Sequence, residues 1–174
     1  MLYIHSVEHS QGLLNFMGNN YKCALGESGV RTIKEEGDGA TPSGKFLLRQ
    51  VFYRPDRLIA PKSELPINRI IPTDAWCDDP NHHQYNRLVK KPFKGSHENL
   101  WRMDNLYDLL IVVGYNDNPP QPHKGSAIFI HCSTKDYKPT KGCIALNLSD
   151  LLIILPKISK NFSLEICSSK NLTN

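Results

Sequence analysis

Two residues toward the C-terminal end carry the strongest chemical signal: His131, at the end of Ser126-Ala127-Ile128-Phe129-Ile130-His131, and Cys143, in Thr140-Lys141-Gly142-Cys143. A thiolate attacks carbonyl carbon well once a base has removed its proton and backbone N–H groups hold the resulting oxyanion. That geometry needs a tight, exposed turn, which Gly142 permits because it tolerates positive φ and close approach of substrate. His131 is the natural base, since imidazole accepts a thiol proton near neutral pH. The base needs an orienting acceptor, for which the Cys132 or Ser133 carbonyl is available; no carboxylate lies closer in sequence than Asp136. The ordinary alternatives are a small core cysteine beside Ile144 and a histidine satisfied at a strand end, and only the pairing of the two puts catalysis first.

The elements that must position this pair are mostly strands. Residues 2–7, 12–17 and 20–25 are short mixed runs separated by Gly12 and by Gly18-Asn19-Asn20, the punctuation of an antiparallel meander. A glycine-rich loop over 36–44 leads into a strand at 46–53. From Arg54 to about Arg102 recurrent prolines exclude long regular elements, and a stretch of that length within a domain is usually functional. The β-branched run 109–115 reads as a buried strand. Residues 126–133 alternate, with Ala127, Phe129 and His131 on one face and Ile128, Ile130 and Cys132 on the other. Leu148, Leu151, Leu152, Leu155 and Ile158 fall at helical spacing behind Ser149 as N-cap, with Pro156 shortening the helix, and a last strand covers 161–168. The sum is a mainly β sandwich or barrel of mixed sheets with one or two helices packed on it, in a single domain spanning 1–174.

The 174 residues carry 21 Lys plus Arg against 17 Asp plus Glu, and 40% are hydrophobic with no long apolar run. No transmembrane span and no disordered tail fits. The net charge of +4 is scattered, which argues for anionic small substrates and against nucleic acid. Five cysteines are too few for a disulfide scaffold and odd in number, so at least one is free. Neither Cys132, His131 and Cys143 nor Cys77, His82 and His83 has the paired spacing of a zinc site, so no metal and no cofactor is expected. The loop at 37–44 lacks the order of a phosphate cradle. The N-terminus lacks the regions of a secretory signal, so nothing visible addresses the chain outside the cytoplasm.

The order His131, Thr140-Lys141-Gly142-Cys143 resembles the catalytic signature of the YkuD-type L,D-transpeptidases, a strand-borne His followed by [Ser/Thr]-x-Gly-Cys. Thr41-Pro42-Ser43-Gly44-Lys45-Phe46 is similar to the family's Thr-Pro-x-Gly-x-Phe segment. The runs Asp74 to Pro80, Tyr85-Asn86-Arg87, Trp101 to Asp104 and Gly125 to His131 resemble a short, signal-poor branch, so the likeness covers roughly residues 29–166. It implies a mainly β catalytic domain acting on peptidoglycan stem peptides, with Cys143 as acyl-forming nucleophile, His131 as base, and Gly142 in the catalytic turn. Lys141 stands where many members carry a second His, to lower the Cys143 pKa or meet a substrate carboxylate. Thr140, Tyr115, Trp101 and Arg102 are the further candidates for substrate contact. The resemblance also implies acylation by carbapenem-type β-lactams and work in the periplasm or cell wall. A cysteine carboxypeptidase or amidase, and a noncatalytic peptidoglycan-binding module, are the alternatives.

Overall fold

Alternation of buried and half-buried positions builds the first three strands. β1 (Leu2–Glu8), β2 (Gln11–Phe16) and β3 (Asn19–Ala24) form the expected meander, with Leu2, Ile4, Leu14 and Phe16 turned inward. The β2–β3 turn is Met17-Gly18, one residue earlier than the asparagines suggested. Both residues have positive φ, 51° and 80°, matching a two-residue hairpin to the strand twist.

The structure, a computed structural model, describes residues 1–168. After the meander come β4 (Val30–Arg31) and β5 (Thr41–Pro42), paired with each other, and the long β6 (Gly44–Tyr53). The proline-rich stretch holds four short strands: β7 (Ile67–Arg69), β8 (Asp74–Cys77), β9 (Leu88–Lys90) and β10 (His97–Asn99). The chain then forms β11 (Leu109–Val113), β12 (Phe129–Cys132), β13 (Ile144–Leu146), helix α1 (Leu148–Ile154), a turn of 3-10 helix containing Pro156, and β14 (Ser163–Cys167). Eight strands close into a mixed barrel in the order β11, β12, β13, β3, β2, β1, β14, β6 and back to β11, with β7 added beyond β6. The fold is therefore the barrel form of the expected mainly β class.

All five residues of β11 are buried because both faces are covered. Leu109, Ile111 and Val113 join the barrel interior with Ile128, Ile130 and Cys132. Leu110 and Val112 face outward with Phe129 into a second core, completed by Ile70, Trp76, Leu100 and Tyr107 from the excursion over 54–108, and Cys143 belongs to this outer core. The excursion is thus a wall built onto the barrel beside the thiol.

Two local expectations change. The strand carrying His131 starts at Phe129, not 126, because Ala127 has φ 52° and its N–H donates to the Asn86 side chain at 3.1 Å instead of to a neighbouring strand. The cap of α1 is Asn147, whose side chain accepts from Ser149 N–H at 3.0 Å. All five cysteines are free. Among the described residues no helix is long and apolar enough to cross a membrane.

Candidate active site

Parallel pairing of β12 with β13 sets His131 opposite Ala145, two residues past Cys143, so both candidates reach one cavity of about 520 Å³ between barrel and excursion. The His131 ring is fixed by its Nδ1, 2.8 Å from the Cys132 carbonyl, one of the two acceptors available in the sequence. A carbonyl only accepts, so Nδ1 carries the hydrogen and Nε2 is left as the basic nitrogen. Tyr107 packs its ring edge on the imidazole at 5.1 Å, and its hydroxyl donates to Glu98 at 2.5 Å.

The thiol is held just as closely. Cys143 Sγ donates to the Ala127 carbonyl at 3.2 Å and accepts from Phe129 N–H at 3.4 Å. The turn at Ala127 thus supplies a contact that a continued strand would not. The Cys143 carbonyl accepts from Thr140 Oγ1 at 2.6 Å and from Thr41 Oγ1 at 3.5 Å. Thr140 therefore brackets Cys143, and Thr41 ties the glycine-rich loop to it. Gly142, at φ 131°, passes so near this loop that a Cβ would stand 2.8 Å from the Ala40 carbonyl oxygen. Its N–H is engaged by Thr140 Oγ1 at 3.1 Å, so what the structure asks of Gly142 is close packing.

Burial sets the protonation of the pair. It pushes the Cys143 thiol up to about 12, with the Glu98 carboxylate adding to the effect, and pulls His131 down to about 4 against the opposing pull of the Cys132 carbonyl. At neutral pH the resting pair is a thiol and a neutral imidazole. For such a thiol to act as a nucleophile its proton would have to leave as an electrophile engages sulfur, and the Phe129 N–H beside Sγ is placed to support a developing thiolate.

The sequence candidates divide. Cys143, His131, Thr140, Lys141 and Arg102 line the cavity, whereas Trp101 and Tyr115 do not. The Trp101 ring lies under Arg54 at 3.7 Å, while Tyr115 packs edge-on against Phe46 and donates to the Lys124 carbonyl at 2.5 Å. The Lys141 side chain is 85% exposed and paired with Glu27 at 2.7 Å, turned toward the rim. Arg102 is clamped by Asp104 through two hydrogen bonds of 2.9 and 2.7 Å. The Arg102 segment is itself held from below: Arg54 donates to the Arg102 carbonyl, and Arg57 donates to the carbonyls of Arg102, Met103 and Asp104 and to the Asp108 carboxylate.

Several cavity residues carry no sequence signal. Lys34 and Glu36, Asp78, and Glu98 lie on three separate segments and meet only in space. Asp136, the carboxylate nearest in sequence, pairs instead with Lys138 at 3.8 Å. The described residues contain no group of three or more His, Cys, Asp or Glu arranged to hold a metal ion.

Residues 9–166 match the family model of the YkuD L,D-transpeptidase catalytic domain. No curated protein and no solved structure matches the chain.

Proposed function

We propose, since the chain belongs to the YkuD family of L,D-transpeptidase catalytic domains, that Cys143 is its acyl-forming nucleophile and His131 its base, acting on peptidoglycan stem peptides. The observation that carries this reading is the ordered pair itself: a histidine whose Nδ1–H is tied to the Cys132 carbonyl and a thiol held by Phe129 N–H, on one cavity. His131 Nε2 takes the Cys143 proton as sulfur bonds to the scissile carbonyl carbon. The C–N bond then breaks and that proton goes to the departing amine of a D-amino acid. A second amine attacks the thioester, its proton passes to His131, and the thiol is restored as the new amide forms. With a stem amine as acceptor this cross-links the wall, and with a free D-amino acid it exchanges the terminus. The substrate places this work in the periplasm or cell wall.

The test is mass spectrometry of products after wild type and Cys143→Ala are mixed with purified disaccharide tetrapeptides. A dimer that has lost a D-amino acid, formed by wild type alone, is expected. Cleaved monomers alone would assign hydrolysis instead, and neither product nor adduct from folded protein would leave a binding module.

A further inference from the structure

Beside the Cys143 cavity, and not lining it, one buried carboxamide joins three segments of the chain. Asn86, between β8 and β9, holds a positive φ of 56° and is 4% exposed. Its Oδ1 accepts from Trp76 Nε1–H at 2.9 Å and from Ala127 N–H at 3.1 Å. Its Nδ2 donates to the Tyr115 carbonyl at 3.0 Å and to the Asn116 carbonyl at 2.7 Å. These bonds use both lone pairs and both N–H groups of the carboxamide. Because Oδ1 faces only donors and Nδ2 only carbonyls, a single orientation of the group satisfies the site. The neighbouring residues are joined as well, since Tyr85 and Ser126 both donate to Glu36 Oε2, the latter at 2.7 Å. Residues 85 and 86 therefore grip residues 126 and 127 through two separate links.

We propose that Asn86 is a positioning residue for Cys143, acting through the turn at Ala127. This rests on the reading of Cys143 as nucleophile and adds to it a residue outside the cavity. The turn needs holding, because Ala127, at φ 52°, sits in the left-handed region that a residue with a Cβ rarely adopts. Its N–H has left the strand ladder, and Asn86 Oδ1 is the acceptor that takes it. The carbonyl of the same residue accepts from the Cys143 thiol at 3.2 Å, and Phe129 N–H, two residues on, donates to Sγ at 3.4 Å. Fixing Ala127 from the Asn86 side thus steadies both groups that hold sulfur. Without that acceptor the turn is free to relax toward extended backbone, which swings the Ala127 carbonyl away from Sγ. Sulfur then loses its aim at a carbonyl carbon, although no group that touches substrate has been removed.

The test is Asn86→Gly, because glycine keeps the positive φ without strain and deletes only the side chain. Turnover of disaccharide tetrapeptide and site-resolved alkylation by iodoacetamide are both measured well below the melting midpoint. The variant's kcat should fall about tenfold or more with the donor KM within about twofold, since Asn86 does not line the cavity. Alkylation of Cys143 should move the other way, about fivefold or more faster as sulfur is released, while the buried Cys23 and Cys132 keep their wild-type rates. A residue needed only for stability would speed all three thiols together. That result, or wild-type kcat and wild-type Cys143 alkylation in the folded variant, overturns the proposal. Hydrogen exchange on the wild type carries the test if the variant does not fold: the Ala127 amide should exchange as slowly as the amides of β12, and fast exchange overturns the grip. If wild type turns over no donor, the transpeptidase reading fails, whereas Cys143 alkylation still decides whether Asn86 holds the sulfur.

Discussion

The resting state of Cys143 yields a quantitative prediction. Its thiol is pushed from the ordinary 9.0 up to about 12, chiefly by burial, so at any pH below 9 its thiolate fraction is about a thousandfold below that of an unperturbed thiol, equivalent to about 4 kcal/mol. Alkylation follows the thiolate, and shielding of the buried sulfur slows it further. The free enzyme exposed to iodoacetamide at pH 7.5 should therefore modify Cys143 at least about a thousandfold more slowly than N-acetylcysteine amide in the same tube. The assay must resolve each cysteine by peptide mass spectrometry, because Cys23 and Cys132 are also buried thiols pushed up to about 12. The logarithm of the Cys143 rate should climb steadily with pH to at least 10. A plateau with its midpoint below about 8.5 would mean a preformed thiolate–imidazolium pair, and would refute the argument that the proton moves only as an electrophile arrives.

His131 makes the complementary prediction in stability. Its imidazole binds a proton less readily when folded, at about 4 against 6.5 unfolded, so its contribution is whole above pH 6.5 and is lost as pH falls toward 4. Urea titrations should show about 3 kcal/mol lost over that window in wild type beyond what His131→Gln loses, and identical pH profiles for the two would count against it. Gly142→Ala adds a methyl 2.8 Å from the Ala40 carbonyl at a φ of 131°. It should cost about 2–4 kcal/mol, a melting point lower by roughly 5–15 °C, and reduce activity by separating the glycine-rich loop from Cys143; an unchanged melt would show that the loop yields freely. A carbapenem-type β-lactam should add its whole mass to wild type and not to Cys143→Ala, and an unmodified wild-type mass after prolonged exposure would oppose the proposed nucleophile.

Much of this protein was legible in its sequence, for local reasons. Short mixed apolar and polar runs between turn residues marked β1, β2 and β3, an apolar-rich run after the glycine loop marked β6, and apolar residues on one face marked β14. The turn Met17-Gly18, the cap Asn147 and the break at Ala127 each shifted an element boundary by only a few residues. His131 and Cys143 stood out by residue type within a short span, and the structure brings both to one cavity, while the ordered segments around them resemble a family that also matches over residues 9–166.

Tertiary structure alone decided the rest. Both faces of β12 carry apolar residues, and no pattern states that one meets the barrel interior and the other an outer wall formed by the proline-rich excursion. That wall, held to the Arg102 segment by Arg54 and Arg57, brings Asp78 and Glu98 to the cavity that Cys143 lines. It also buries His131 and Cys143 deeply enough to keep both neutral at rest. Closure turned Trp101 and Tyr115 into packing residues and paired Lys141 with Glu27 at the rim. Residue type sets what a side chain is able to do, whereas its partner, its desolvation and its protonation arise from segments far away in sequence, and only the folded chain brings these together.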